Sequence, residues 1–323
     1  MKRVGCAGIL VKDTFCGPLP ALPGAGELVS VPAMPVMAGG CAANVALDLA
    51  KQGIGVDLAG CVGNDSAADA LLKAIEAGGV NCQRIRRRTE YPTSETVILL
   101  VAGEDRRYLH SFGANRAFGI ADLPHDWVAS LAVFYLGGLF AMPAIDDHEL
   151  LDLLRFCRGE GVVTVLDVVV PSGFRATAAL RSLLPHMDWF LPNETEAEVF
   201  TGEHDPQAAL ARLHDWGAAN TRIIVTCGSS GALAAGGGQF WRCGAYRWPA
   251  VDPSGAGDAF ASGVIVGILH GWEMPQILRY ASVVGASATR AVGTTAGVFT
   301  FSEARDWMER DPVPVTSRSR ESR

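Results

Sequence analysis

Residues 251–260 read Val251-Asp252-Pro253-Ser254-Gly255-Ala256-Gly257-Asp258-Ala259-Phe260, and this stretch decides how the rest of the chain is interpreted. An apolar run of small residues follows as far as Leu269, which predicts a buried helix that begins near Gly255. Free N–H groups and the positive end of the helix dipole favour an anion at such a helix start. Asp258 can therefore take a proton from a hydroxyl group while the amides of Gly255, Ala256 and Gly257 hold a phosphoryl group. A glycine turn before an acidic helix start explains the residues equally well.

A second glycine-rich segment, Ala38-Gly39-Gly40-Cys41-Ala42-Ala43-Asn44-Val45-Ala46, lies near the N-terminus. Its small residues predict a helix opened by two glycines, whose bare backbone a ligand can approach closely. Asn44 lies about one turn into that helix, and its amide carries the donor and acceptor groups that suit hydroxyl binding. A buried Asn that ties down a loop is the structural alternative, and both roles can hold together.

These two segments, in this order, resemble the N-terminal and C-terminal signatures of the ribokinase-like (PfkB) carbohydrate kinase family. Val62-Gly63-Asn64-Asp65 resembles the family's Val-Gly-x-Asp, which we interpret as structural. Gly113-Ala114-Asn115 recurs in sugar-kinase members, although a plain turn explains it too. The family often has an acidic residue after the strand at 131–136, whereas this chain reads Leu136-Gly137-Gly138-Leu139-Phe140. That departure bears on the identity of the substrate.

Two motifs in the second half of the chain resemble the family's nucleotide-side signatures. Asn193 and Glu196 match its Asn-x-x-Glu, which organises the magnesium ion and the phosphates; a helix capping box explains the same pair structurally. Thr226, Gly228 and Gly231 match its nucleotide-contacting Thr-x-Gly-x-x-Gly, for which a hairpin turn is the alternative.

The order of the predicted elements indicates an α/β fold with a central, mostly parallel sheet flanked by helices. From Leu131 onward, strands at 131–136, 162–166 and 187–191 alternate with helices at 146–159 and 173–184. A short strand at 27–31 and β-rich sequence over 83–112 predict a small β lid, built from about 13–37 and 83–112. We expect one kinase domain over 1–310 and a disordered, Arg- and Ser-rich tail over 311–323.

Asp13 follows a predicted buried strand over 4–10, at the carboxyl edge where open α/β sheets bind ligands. A solvated turn residue is the alternative. Arg106, on the predicted lid, is a candidate for facing the acceptor, although solvent exposure is usual for such charges.

Composition excludes several classes of protein. The 323 residues are 49% hydrophobic and 19% charged, which is typical of a globular chain. The net charge of −7, with a single basic run at Arg86–Arg88, argues against nucleic acid as a partner. Eight scattered cysteines without a Cys-x-x-Cys pair argue against a zinc site or disulfides and favour reduced thiols in the cytoplasm. The N-terminus lacks the layout of a signal peptide.

Other sequence features argue against membrane insertion and against two common nucleotide motifs. The apolar run from Trp127 to Ile145 contains Gly137, Gly138 and Pro143, so a buried strand with a loop is expected there rather than a membrane span. None of the four lysines follows a glycine, which excludes a Walker A loop, and no G-x-G-x-x-G is present.

The resemblance implies transfer of the ATP γ-phosphoryl group to a hydroxyl of a small sugar-like acceptor, with Asp258 as the base and the amides of residues 255–257 as the anion hole. It implies that Asp13, Gly39, Gly40 and Asn44 bind the acceptor, and that Asn193, Thr226, Gly228 and Gly231 bind the nucleotide. It implies a water-mediated Mg²⁺ at Glu196 and, beside Asp252, a potassium ion. Edge strands of the lid favour a homodimer. The alternatives are a nucleoside kinase of the same superfamily and a non-catalytic sugar-binding protein of the same fold.

Overall fold

The computed structural model describes residues 3–104, 106–171, 173 and 177–319. Its strands are β1 (Val4–Gly8), β2 (Val11–Leu19), β3 (Val36–Gly39), β4 (Val56–Gly63), β5 (Asn81–Arg88), β6 (Glu95–Val101), β7 (Arg107–Ser111), β8 (Val133–Leu139), β9 (Val163–Val168), β10 (Trp189–Phe190), β11 (Arg222–Thr226), β12 (Ala232–Gly236), β13 (Gln239–Cys243) and β14 (Val315–Ser319). Its helices are α1 (Cys41–Lys51), α2 (Ser66–Ala77), α3 (His125–Ala129), α4 (Asp147–Glu160), α5 (Thr177–Leu183), α6 (Glu194–Thr201), α7 (Pro206–Trp216), α8 (Ala256–Leu269), α9 (Met274–Ala288) and α10 (Phe301–Arg310).

The larger sheet has the strand order β14-β13-β12-β11-β10-β9-β8-β1-β4-β5. Neighbouring strands are parallel from β5 to β11, and β12, β13 and β14 add an antiparallel edge. Strand β4 is buried along its whole length, as expected for a parallel strand covered by helices on both faces. One core packs α1, α2, α8, α9 and α10 on one face, and a second packs α3 to α7 on the other. The predicted α/β architecture is confirmed.

A separate four-stranded sheet, in the order β3-β2-β6-β7, forms the lid. Two details of the predicted lid are wrong. The strand expected at 27–31 is irregular, and the lid hairpin is closed instead by β3 against β2; Leu28 is 90% exposed and therefore has no packing that would favour a strand. Residues 83–88 belong to β5, which pairs with β4 in the larger sheet. Local β-propensity does not say which sheet a strand joins, because partner choice depends on tertiary packing.

The expected disordered tail is wrong for Val315–Ser319, which form β14 against β13. The pairing uses backbone groups, so the polar Arg- and Ser-rich composition does not oppose it. Residues 320–323 lie outside the described residues, as do 174–176 at the start of the helix predicted over 173–184, which is observed as α5 from Thr177.

The apolar run from Trp127 to Ile145 divides into the end of α3, strand β8 and a loop. No helix in the described part of the chain is both long enough and apolar enough to cross a membrane.

Candidate functional site

The start of helix α8 is shaped by Gly255, which adopts φ +76° and precedes the first helical residue, Ala256. A methyl group on Gly255 would overlap the carbonyl oxygen of Thr294, so only glycine fits the left-handed conformation at this position. A methyl group on Gly257, in contrast, would meet no described heavy atom within 4 Å. The first N–H groups of the helix have no acceptor within the helix, although that of Ala256 makes a long contact of 3.4 Å to the Pro253 carbonyl oxygen. The helix start therefore offers amides to an open space.

Asp258 is held at this helix start by side chains from α1. The Asn44 Nδ2 atom donates to Asp258 Oδ2 at 2.7 Å, and the Cys41 sulfur atom lies within 4.8 Å of the carboxylate. Asn44 Oδ1 accepts a hydrogen bond of 2.9 Å from the Thr294 hydroxyl, which fixes the amide. The N-termini of α1 and α8, far apart in the sequence, thus meet at one carboxylate.

Burial raises the pKa of Asp258, and the hydrogen bonds from Asn44 and Cys41 oppose that rise. The helix dipole favours the ionised form at this position, and the loss of hydration on burial acts in the opposite direction.

Asp13 lies on the inward face of lid strand β2, rather than in a loop after β1, and is 6% exposed. Its carboxylate lies so close to Gly39 that a methyl group on this glycine would overlap it. Gly40 has φ +90°, and a methyl group there would overlap the Ile9 carbonyl oxygen. Burial, opposed by a hydrogen bond to Thr96 and helped by the charge of Asp258, raises the pKa of Asp13 to about 7. The lid strand and the start of α1 thus lie against one another, with Asp13 close enough to Asp258 for the two charges to interact.

Three residues of the cluster around Asp258 were not predicted as site residues: Cys41, Tyr135 and Asp167. Ligand atoms of Cys41, Asp167 and Asp258 all lie within 4.8 Å of one another. The Tyr135 hydroxyl donates to Asp167 Oδ2 at 3.1 Å. Burial raises the pKa of Asp167, as do the charges of Glu196 and Asp258. Asp167 follows the strand predicted over 162–166, so its position at a carboxyl edge could have identified it; Cys41 and Tyr135 carry no such signal.

The absence of an acidic side chain at position 137, within β8, has a steric explanation. A methyl group on Gly137 would lie 2.8 Å from the Tyr135 hydroxyl oxygen and 2.9 Å from the Cβ atom of Cys41. Tyr135 and Cys41 therefore fill the space that a side chain at position 137 would need.

Asn193 and Glu196 form a capping box at the start of α6. Glu196 N donates to Asn193 Oδ1 and Asn193 N donates to Glu196 Oε2, each at 2.9 Å. Burial, helped by the charge of Asp258 and opposed by the hydrogen bonds with Asn193, raises the pKa of Glu196 to about 7. A backbone bridge joins Asn193 to Thr226 at the end of β11. The capping pair and the carboxylate group around Asp258 are thus electrostatically coupled.

A cavity of about 650 Å³ lies on the other side of the α8 start. Thr226, Gly228 and Gly231 line it together with Ala256 and Gly257. Further wall residues come from the segment 245–250, from α9, and from Pro253 and Phe260 around the start of α8. The predicted nucleotide loop and the predicted anion hole therefore open into the same cavity.

Asp252 is 1% exposed and accepts three hydrogen bonds. Its Oδ1 atom accepts from the Ser254 N–H at 2.9 Å and the Ser254 hydroxyl at 2.7 Å, and its Oδ2 atom accepts from the Gly293 N–H at 2.9 Å. These bonds join the loop before α8 to the loop at 293. From the lid, Arg106 Nη1 donates to the Ser254 hydroxyl at 3.1 Å, so the lid also reaches this loop.

Two other motifs have structural roles. Asn115 donates to the Leu10 carbonyl oxygen and accepts from the Leu10 N–H, at 3.0 and 3.1 Å, which fixes the junction of β1 and β2. Asp65 accepts from the Ala68 N–H at 2.9 Å as the N-cap of α2 and bonds to Thr93 at the entry to the lid.

Comparison with known proteins gives a consistent result. The family described as pfkB family carbohydrate kinase matches residues 1–300. The chain is 28% identical over 274 residues to the 2-dehydro-3-deoxygluconokinase of Bacillus subtilis, covering 80% of this chain and 82% of that protein. Its fold is similar to that of ribokinase from Thermotoga maritima, with a TM-score of 0.81, 20% identity and coverage of 96% and 100%. The Arabidopsis thaliana ribokinase complexed with ribose and ATP gives a TM-score of 0.79 at 22% identity, with coverage of 95% and 99%. The predicted ribokinase-like fold is confirmed.

Proposed function

Because the chain belongs to the pfkB family of carbohydrate kinases, we propose that it transfers the γ-phosphoryl group of ATP to a hydroxyl group of a small sugar-like acceptor. The observation that carries this proposal is the position of Asp258. The carboxylate lies at a helix start whose amides face a cavity of about 650 Å³, and it is bonded to Asn44 on α1, the helix whose start lies against Asp13 of the lid. A donor on one side and an acceptor on the other would meet at this carboxylate.

In the proposed reaction Asp258 accepts the proton of the attacking hydroxyl group. A carboxylate is a stronger base when its pKa lies nearer the working pH, so the raised pKa of Asp258 suits this role. The amides of Gly255, Ala256 and Gly257 face the transferring phosphoryl group, whose negative charge the helix terminus favours.

The acceptor is proposed to bind Asp13, Gly39, Gly40 and Asn44. The two glycines let hydroxyl groups approach the backbone, and the side chains of Asp13 and Asn44 offer hydrogen-bonding groups. On the donor side, Thr226, Gly228 and Gly231 line the cavity for the nucleotide, and Asn193 is joined to Thr226 by a backbone bridge.

The donor set near Asp258 suits a magnesium ion that accompanies ATP. The charges of Glu196 and Asp258 raise the pKa of Asp167, and buried carboxylates that repel one another favour a bound divalent cation. Glu196 would hold Mg²⁺ through water, and the ion would neutralise phosphate charge. We also propose that a potassium ion binds beside Asp252, whose carboxylate is buried next to the loop before α8.

We place the enzyme in the cytoplasm, with ATP and a sugar-like molecule rather than nucleic acid or membrane as its partners. The eight cysteines, all within the described residues, are free thiols, which suits a reducing compartment.

An ADP-release screen tests the function directly. Purified protein with Mg·ATP is mixed in turn with pentoses, hexoses, sugar phosphates and nucleosides, and ADP formation is compared with an acceptor-free control. Release that depends on a sugar supports the proposal. Release with nucleosides only would instead assign a nucleoside kinase, and release with no acceptor class would favour a sugar-binding protein.

Replacement of Asn44 by alanine is expected to weaken acceptor binding by about 1–3 kcal/mol, because it leaves buried polar partners unpaired. The dissociation constant of Mg·ATP should stay near the wild-type value, because the cavity lining does not include Asn44. Calorimetric titration of each substrate measures both quantities. Weakened ATP binding with an unchanged acceptor constant would contradict the assignment of Asn44 to the acceptor.

The lid is proposed to join two copies of the chain through the segments 27–37 and 93–110. Large apolar side chains are exposed on these segments: Leu28, Met34, Val36, Tyr108 and Leu109. An interface between two lid sheets would remove these side chains from water. Light scattering at micromolar concentration is expected to give the mass of a dimer, and Leu109→Glu is expected to give a monomer. Val199→Glu, at an exposed apolar residue of α6, is the matched control and should remain dimeric. A monomeric wild type would refute this assembly.

A further inference from the structure

The wall of the cavity includes a segment whose position does not come from its own secondary structure. The segment 244–250, all of which is described, is neither helical nor part of a strand. Nevertheless it contributes Tyr246 and Trp248 to the lining. An irregular segment is held in place only by the contacts that it makes with the rest of the protein.

Those contacts come largely from the C-terminal end of the chain. Gly244 N donates to the Pro314 carbonyl oxygen at 3.0 Å, directly after the pair formed by Cys243 and Val315 in β13 and β14. The Tyr246 hydroxyl donates to the Asp311 carbonyl oxygen at 2.6 Å.

Aromatic packing adds a second layer behind the wall. The ring of Trp307, on α10, lies 5.1 Å from the ring of Trp248, and Phe299 lies 5.7 Å from the same ring on another side. Trp307 does not line the cavity, so it can affect a ligand there only through Trp248. Arg279 Nε, from the cavity helix α9, donates to the Val313 carbonyl oxygen at 3.3 Å, which ties the chain end to a second wall.

We propose that the C-terminal segment 307–319 is a positioning element for the nucleotide: it fixes Tyr246 and Trp248 against the bound nucleobase and so sets the affinity for ATP. This inference rests on the proposed function, since it assumes that the cavity holds the nucleotide. The contacts are with the donor side, and the acceptor residues Asp13 and Asn44 lie across the α8 start. Loss of the segment's contacts therefore weakens nucleotide binding and leaves acceptor binding unchanged.

The test compares Trp307→Leu with a matched change, Trp272→Leu. Trp272 also packs on α10, with its ring parallel to Phe301, but it is not part of the cavity wall or of the layer behind it. Both variants lose one partly buried tryptophan, so a general loss of stability affects them alike. Trp307→Leu should raise the dissociation constant of Mg·ADP roughly 2- to 10-fold, the range expected for the loss of one aromatic pair. The KM for the acceptor should not change, and Trp272→Leu should leave both constants near wild type.

Limited proteolysis gives a readout that does not depend on a ligand. Trypsin should cut after Arg247 faster in Trp307→Leu than in Trp272→Leu, because the segment 244–250 opens more often without its support. If Trp307→Leu fails to fold, Tyr246→Phe serves instead. It removes only the hydrogen bond to Asp311 and should show the same selective loss of nucleotide affinity.

The outcomes separate this inference from the proposed function. A wild-type protein that binds Mg·ADP, with equal affinity and equal cleavage in the two tryptophan variants, would overturn the positioning role and leave the kinase function intact. A wild-type protein that does not bind Mg·ADP would overturn both.

Discussion

Replacement of Asp258 by asparagine should lower kcat by about 100- to 10,000-fold, the usual contribution of a general base. Asparagine keeps the size of the side chain and an oxygen that can accept the 2.7 Å hydrogen bond from Asn44, so the junction of α1 and α8 should persist. The dissociation constants of Mg·ATP and of the acceptor should stay close to wild type, because the amides and Asn44 remain. Steady-state kinetics with calorimetry of both ligands measures the three quantities.

Asp205→Asn is a matched control for this variant. Asp205 is the N-cap of α7, where its side chain accepts from the N–H groups of Gln207 and Ala208, and asparagine caps helices equally well. Its kcat should equal that of wild type. The raised pKa of Asp258 also predicts that wild-type kcat falls as acid protonates the base, whereas the residual activity of Asp258→Asn should lack that dependence. A kcat within a few-fold of wild type for Asp258→Asn would reduce Asp258 to a structural residue at a helix start.

Replacement of Gly255 by alanine should lower kcat by about 100-fold or more, as removal of a donor to a developing anion does in other enzymes. The new methyl group would overlap the Thr294 carbonyl oxygen, and the left-handed conformation at φ +76° would add a strain of roughly 1–2 kcal/mol. The loop before α8 must shift to relieve the overlap and the backbone strain. This shift moves the amides of α8 away from the phosphoryl group. Thermal unfolding and kcat together record the two effects.

Gly271→Ala is a control that separates the effect of backbone strain on stability from an effect on kcat. Gly271 lies just after the other end of α8 with φ +65°, and a methyl group there would meet no described heavy atom within 4 Å. This variant should lose stability through strain alone and keep the wild-type kcat. If Gly255→Ala loses no more activity than Gly271→Ala, the α8 start is not an anion hole.

The sequence predicted the parts of the site that depend on local geometry. A glycine before a helix and a carboxylate in its first turn have short-range consequences, so the start of α8 and the capping box of Asn193 and Glu196 could be read from their spacing. The alternation of strands and helices likewise predicted the parallel sheet.

The parts that were missed depend on contacts between distant segments. Asp167 lies beside Asp258 because the end of β9 and the start of α8 meet in the folded protein, and Tyr135 fills space that a side chain at position 137 would need. The C-terminal strand β14 was not predicted for a similar reason. It pairs with the edge strand β13, which only the folded protein brings beside it. Burial, which raises the pKa of Asp258, is also a property of the whole fold rather than of the helix that carries it.

The division of the site between two sheets has an evolutionary consequence. Asp13 and Arg106 come from the lid, whereas the α8 start and the nucleotide cavity come from the larger sheet and its helices. With the roles proposed above, substitutions in the lid would change which molecule is recognised and would leave the residues proposed for phosphoryl transfer unchanged. In such a family the acceptor specificity can change by selection on the lid, while selection on the larger sheet and its helices keeps the phosphoryl-transfer reaction the same.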